Sequence, residues 1–165
     1  MHSKVKGTLG ELAIAQDLIG QGFPTFTELG DNSKVDLIAL TPRPIRIQVK
    51  ALNSINNVVQ VSATKSGPNY KFRYSIDDLD IFAIFVLDTK DIFYVSVEEI
   101  LSNAKTSSFR LASPKNNQIK GCRYVEDYRE IRRVLRDYTP NILADNAEDD
   151  DIVQTTTSKK MVSES

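Results

Sequence analysis

The heptapeptide IRIQVKA, residues 45–51, alternates between apolar and polar side chains. In a strand this puts Arg46, Gln48 and Lys50 on one face and Ile45, Ile47 and Val49 on the other. Upstream, VDLIAL (35–40) holds one carboxylate, Asp36, in an otherwise apolar run, with eleven residues between it and Gln48. Two strands joined by the TPRP turn bring Asp36 beside Gln48 and Lys50. A second carboxylate, Glu11, lies in GTLGELA near the N-terminus. Hydrolysis of a phosphodiester needs a hard cation held by a few oxygen ligands that leave room for water and phosphate. It also needs a positive group to orient the water or stabilise the developing charge. Glu11, Asp36 and the amide oxygen of Gln48 suit Mg²⁺ or Mn²⁺, and Lys50 suits the last role. Because Gln48 brings no charge, such a site binds metal more weakly than one with three carboxylates.

Each residue alone also has an ordinary role. Asp36 could cap a turn at a strand end, Lys50 could be a solvated lysine, and Gln48 an amide on an open sheet face. Glu11 could simply favour the positive end of its helix. A buried unpaired carboxylate is costly, however, and the four together favour chemistry over decoration.

The elements that must position them follow from local pattern. KGTLGELAIAQDLIGQGF carries Leu9, Leu12, Ala13, Ala15 and Ile19 near helical spacing, with Gly20 and Gly22 as the stop, which predicts a helix over about 6–20. FPTFTEL (23–29) reads as a short extended stretch and GDNSK (30–34) as a turn. VDLIAL and IRIQVKA read as a hairpin and NNVVQVSA (56–63) as a third strand, followed by a loop, TKSGPNYKFRYS. DIFAIFVLD (80–88) is apolar nearly throughout and reads as a strand covered on both faces, with IFYVSV (92–97) as its antiparallel neighbour across DTKD. VEEILSNA starts a short helix. SSFRLASPKNNQIKG is loop-like with a strand candidate at FRLA, and YREIRRVLRDY (128–138) closes as a basic helix. This order predicts an α/β (α+β) domain with a central mixed β-sheet flanked by helices, an architecture that decides nothing about function by itself.

Composition narrows the classes. With 165 residues and 41% hydrophobic content, the expectation is one domain over 1–140 with a single core. No apolar run approaches the length of a membrane span and the N-terminus lacks a signal-peptide pattern, so a cytoplasmic protein without membrane contact is expected. The single cysteine, Cys122, cannot close an internal disulfide, and the single histidine, His2, stands at the chain end. A Cys–His nucleophile and a zinc site are thereby disfavoured.

The net charge of −1 hides an asymmetry. Residues 141–165 form an acidic, Ser/Thr-rich segment without aromatics, which reads as a disordered tail. Residues 1–138 carry 19 bases against 16 acids, a net of +3. From Leu37 to Asp77 there are six bases (Arg43, Arg46, Lys50, Lys65, Lys71, Arg73) and no acid before Asp77, and from Ile100 to Val125 five more bases without an acid. Such stretches suit a polyanion. Candidate phosphate contacts are Arg46, Lys65, Lys71, Arg73, Arg110 and Lys115, and Asn116, Asn117 and Gln118 suit hydrogen bonds to base edges.

The pair Val35-Asp36 and the triplet Gln48-Val49-Lys50, with a glutamate in the preceding helix, resemble the PD-(D/E)XK nuclease superfamily. KGTLGE, the GDN turn, IRIQVKA, DIFAIFVLD, IFYVSVEEI and PKNNQ with RYVEDY extend the likeness over residues 4–136. Together they look like the cyanobacterial group I intron homing endonucleases of PD-(D/E)XK type. Valine replaces proline at 35 and glutamine replaces the acid at 48, and the latter change also occurs in this homing subgroup. The resemblance implies a restriction-endonuclease-like core and a divalent-metal-dependent, site-specific endonuclease on double-stranded DNA, with Glu11, Asp36, Gln48 and Lys50 catalytic. It also implies a homo-oligomer, dimer or tetramer, in keeping with one site cutting one strand. A junction-resolving or restriction-type nuclease, and a DNA-binding module that has lost catalysis at Gln48, are the alternatives.

Overall fold

Alternation in one strand and apolar continuity in its neighbour set the architecture. The structure, a computed structural model, describes residues 2–30, 33–41, 43–103, 106–112 and 121–138. Its elements in chain order are α1 (Ser3–Gly20), β1 (Thr25–Thr27), β2 (Leu37–Ala39), β3 (Ile45–Leu52), β4 (Val58–Val61), β5 (Thr64–Gly67) and β6 (Tyr70–Arg73). Then follow β7 (Ile81–Val86), β8 (Ile92–Ser96), α2 (Val97–Leu101), β9 (Ser107–Arg110), β10 (Arg123–Tyr124), a 3-10 turn (Val125–Tyr128) and α3 (Ile131–Tyr138). The central sheet has the order β1-β2-β3-β7-β8 and is mixed: β3 and β7 run parallel, and the other neighbours antiparallel. A second sheet, β10-β9-β4, covers part of it, and β5–β6 stand apart as a hairpin.

Because both faces of the central sheet are covered, β7 is buried at all six positions, as its unbroken apolar run predicts. Ile45, Ile47, Val49, Ile81 and Ala83 meet Ile14 and Leu18 of α1 and Ile131 and Leu135 of α3. Phe82, Ile84 and Val86 meet Val59, Val61 and Phe109 of the second sheet. The polar stripe of β3 therefore does not look out on an open sheet face, and Gln48 is only 6% exposed.

Several expected boundaries move for identifiable reasons. Helix α1 begins at Ser3 and buries Gly10, Ile14 and Leu18, a stripe four residues apart. Leu9, Leu12 and Ile19 fall outside that stripe and are 41%, 63% and 61% exposed. The expected third strand starts only at Val58, because Asn56 and Asn57 take positive φ (52° and 60°) and turn the chain, a conformation Asn tolerates best after Gly. It joins the second sheet, not the central one.

TKSGPNYKFRYS is not a loop but the β5–β6 hairpin, with Gly67 opposite Tyr70 and Pro68-Asn69 between them. A Cβ at Gly67 would lie 2.4 Å from the Tyr70 ring, so the ring occupies space that any other residue would make it give up. The last helix is shorter than expected, since residues 125–128 form a 3-10 turn before α3 starts at Ile131. The PKNNQ segment and residues 141–165 lie outside the described residues. Among the described residues no helix is long and apolar enough to cross a membrane.

Candidate active site

The β2–β3 ladder pairs Leu37 with Ile47, Ile38 with Arg46 and Ala39 with Ile45. Extending that register by one residue sets Asp36 opposite Gln48. The Asp36 N–H still donates to Ile47 O at 2.9 Å, but beyond it the strands part and the carboxylate turns into the gap. There Asp36 Oδ2 accepts the Val49 N–H at 2.7 Å and a hydrogen bond from Gln48 Nε2. The acid is thus anchored on the backbone of the QVK triplet itself.

Gln48 is held at both ends. Its Nε2 also donates to Val49 O at 3.2 Å, and its Oε1 accepts the Tyr74 hydroxyl at 2.8 Å. Tyr74 follows β6, fixed by its N–H donating to Ala63 O at 2.8 Å, and it is 2% exposed. Burial, reinforced by the Asp36 carboxylate, drives its hydroxyl far above the ordinary phenol range, so it remains protonated.

Lys50, two residues on, shares this face. Its ammonium stands over two aromatic rings, 5.7 Å from the Tyr74 centroid and 5.2 Å from that of Phe82. Burial lowers its pKa to about 8, with the charge of Lys65 acting in the same direction and that of Asp36 opposing both. At neutral pH Lys50 is therefore still mainly a cation, but one close to its titration point.

Glu11 reaches the site because α1 lies unusually close to β3. A Cβ built at Gly10 would be 3.2 Å from Ala51 Cβ and 3.3 Å from Val49 Cγ1. With only hydrogen there, the helix settles against the strand and its next residue, Glu11, faces the mouth of the β2–β3 gap. Glu11, Asp36, Gln48, Glu28, Lys65 and Tyr70 line one cleft of about 540 Å³, between the first turns of α1, the residues before β2 and the β5–β6 hairpin. The cleft joins three carboxylates, an amide and two lysines, Lys4 and Lys65, with Lys50 coupled to it through the charges of Asp36 and Lys65.

This donor set suits a hard divalent cation: Glu11 and Asp36 supply carboxylate oxygens on the same cleft. Among the described residues no cluster of three or more His, Cys, Asp or Glu side chains is placed to hold a metal. As placed, Gln48 turns its NH₂ and not its oxygen toward Asp36. Oε1, the atom expected to meet a cation, accepts from Tyr74.

The basic residues divide. Lys71 is exposed on the hairpin, opposite Ser66, and Lys65 lines the cleft. The Arg46 guanidinium donates to both oxygens of Asp80, at 3.1 Å each, and to the carbonyls of Ile76 and Asp77. The Arg73 guanidinium donates to Leu101 O and Asn103 O at 3.4 and 3.2 Å. Both arginines thus serve the fold in ways their basic context does not reveal. Arg110 lies on β9, opposite Val58 in the second sheet. Lys115, Asn116, Asn117 and Gln118 lie outside the described residues.

Sequence reasoning missed Glu28, Gly10, Tyr70 and Tyr74. The period-two aromatic spacing of Tyr70, Phe72 and Tyr74 is the signal that could have found the hairpin and its tyrosines together. No such signal marks Gly10, whose importance depends on which helix face meets the sheet.

Comparison with solved structures finds similarity to the bacterial homing endonuclease I-Ssp6803I, at 20% identity and a TM-score of 0.64, over 82% of this chain and 93% of that one. A comparison with curated proteins finds no match. Residues 1–131 match the family model described as PD-(D/E)XK endonuclease. That match takes in the helix with Glu11, the Asp36 step and the Gln48-Val49-Lys50 triplet, and the chain belongs to the PD-(D/E)XK endonuclease family.

Proposed function

We propose that the chain is a site-specific endonuclease of the homing type, which hydrolyses phosphodiester bonds of double-stranded DNA in the cytoplasm with Mg²⁺ or Mn²⁺. The observation that carries this reading is the anchoring of Asp36 on Val49 N–H and Gln48, on a cleft shared with Glu11 and next to Lys50. Glu11 and Asp36 are the side chains to hold the cation. When bound, it supplies charge to offset that of the phosphate and acidifies the attacking water. Lys50 offers a cation whose desolvated ammonium interacts strongly with an anionic phosphate. The aromatic rings beneath it keep that side of the site dry.

Lys65 at the cleft and Lys71 on the hairpin suit the phosphate backbone on either side of the scissile bond. A domain of this size has a radius of gyration of about 14 Å and a single site, so cutting both strands calls for a symmetric homo-oligomer, dimer or tetramer.

The test is incubation of the purified protein with a library of linear duplexes, with Mg²⁺, with Mn²⁺ and with chelator. Expected is metal-dependent double-strand cutting at one sequence or a few, lost in Lys50→Ala. Failure to cut any duplex with either metal would overturn the reading, and preferential cutting of four-way junctions would move it to a junction-resolving nuclease.

A further inference from the structure

Gln48 is surrounded by groups that cannot be interchanged. On one side lie the Asp36 carboxylate and the Val49 carbonyl, both acceptors, and on the other the Tyr74 hydroxyl. A carboxamide can stand either way round, but only one way satisfies these neighbours. With NH₂ on Asp36 and Val49 and the oxygen on Tyr74, every contact joins a donor to an acceptor. Reversed, the amide oxygen would confront a carboxylate and a carbonyl. Although Gln48 borders the cleft, little of it meets solvent, with Gln48 at 6% and Tyr74 at 2% exposure, so the mismatch would be costly.

From this geometry, and resting on the reading of the cleft as a metal-dependent site, we propose that Tyr74 is a positioning residue of the nuclease. Its hydroxyl locks the Gln48 carboxamide so that Gln48 orients Asp36 for the cation and does not itself ligate it. The glutamine at the position of the usual acid is then not a weakened ligand. It is a neutral donor that fixes the carboxylate beside it, as partners of ligating carboxylates do elsewhere. Tyr74 can fill this role because it is itself rigid: its ring packs edge-on against Phe72 and Phe82, with centroids 5.0 and 5.5 Å away.

The test measures Mn²⁺ binding to the full-length, DNA-free protein by calorimetry for wild type, Tyr74→Phe, Gln48→Leu and the double variant. Tyr74→Phe keeps the ring and should weaken Mn²⁺ binding about tenfold. In the Gln48→Leu background the same change should matter less than about twofold, because the pair acts as one unit. The side-chain amide protons of Gln48 should be protected from exchange in wild-type ¹⁵N spectra and lose that protection in Tyr74→Phe, while the backbone amides of β3 keep theirs. Unchanged affinity in Tyr74→Phe, tighter binding (the freed oxygen recruited as a ligand), or an equal loss in both backgrounds would overturn the proposal. Should Tyr74→Phe fail to fold, freely exchanging Gln48 amide protons in the wild type overturn it and protected ones support it. Absence of any Mn²⁺ binding to the wild type would instead remove the metal-site reading on which the proposal stands.

Discussion

Strand β3 carries two acid-centred clusters on the same face, two residues apart, and they are built to opposite ends. At Arg46 the acid is Asp80, which is 1% exposed and accepts from the Arg46 backbone N–H, the Arg46 guanidinium and Arg43. At Gln48 the acid is Asp36, whose Oδ2 is held by two neutral N–H donors at the edge of a cleft shared with Glu11 and Glu28. Guanidinium groups that meet a carboxylate with charge-assisted hydrogen bonds neutralise it and close the site. Neutral donors fix a carboxylate in place without themselves cancelling its charge, which here acts on Lys50. One strand thus carries an anchor and the proposed reaction site, and the donors that hold the two acids differ, guanidinium groups on Asp80 and neutral N–H groups on Asp36 Oδ2.

Exchanging alanine for each acid should separate the two most sharply. Asp36→Ala or Lys50→Ala should slow DNA cutting by at least about 10²–10³-fold while DNA binding stays close to wild type. Asp36→Ala should also cost about 1 kcal/mol of stability, because the Val49 N–H and the Gln48 amide lose their acceptor. Wild-type cleavage rates in either variant would remove these residues from the site.

Asp80→Ala should do the reverse. Breaking a buried ion pair costs about 3 kcal/mol here, the lower end of its range, because Arg46 and Arg43 are 35% and 53% exposed and can turn to water. Denaturant unfolding would read this loss, and the fraction that remains folded should still cut. A variant of normal stability but no activity would make the two clusters one.

Gly10→Ala tests how the helix delivers Glu11 to the proposed reaction site. The added methyl must displace Val49 and Ala51 by a few tenths of an ångström, costing about 1 kcal/mol. The gain in helix propensity offsets this by about 1 kcal/mol. Stability should hardly change, yet cutting should fall about three- to tenfold, because a small displacement of a reacting group is expensive. Loss of stability with undiminished cutting would show that the close approach serves packing only.

How much of this the sequence disclosed depends on whether a signal is local. The Asp36–Gln48–Lys50 grouping was legible because a hairpin register and period-two alternation are both short-range. The burial of β7 was legible because both faces of that strand are apolar. The partners of Arg46 and Arg73 were not, since Asp80 and the carbonyls of Leu101 and Asn103 lie 28 or more residues away. A basic residue looks the same in sequence whether it meets a phosphate or a carbonyl. The hairpin over 64–73 was misread because its strands are short and largely exposed, leaving only the aromatic spacing as a trace. Tyr74 was overlooked with it.

A smaller effect should appear in the pH dependence. Burial lowers Lys50 to about 8, so its charge is present below that pH and lost above it. At fixed Mg²⁺, any part of catalysis that depends on this cation should decline as pH rises through about 8, and Lys50→Arg, charged throughout, should remove the decline. Stability should move the other way. Between about 8 and 10.5 the unfolded lysine binds more protons than the folded one, so unfolding free energy rises with pH across that window. A cleavage profile of the same shape in wild type and Lys50→Arg would show that Lys50 does not act through its charge.

The smallest effect concerns the hairpin, where the contrast between anchor and working residue recurs in Lys71 and Arg73. Lys71 is exposed on one strand, whereas Arg73 ties that strand to the C-terminal end of α2 through the carbonyls of Leu101 and Asn103. Each phosphate neutralised by a lysine releases condensed counterions and contributes about −0.9 to the slope of log K against log salt. Lys71→Ala and Lys65→Ala should therefore each flatten that slope by about one unit and weaken all duplex sequences alike, since phosphate contacts carry no base information. Arg73→Ala should leave the slope nearly unchanged and loosen the hairpin, seen as faster amide exchange along Tyr70–Arg73. A slope change at Arg73 equal to that at Lys71 would mean that DNA draws the guanidinium off its carbonyls, and both residues would then belong to the binding face.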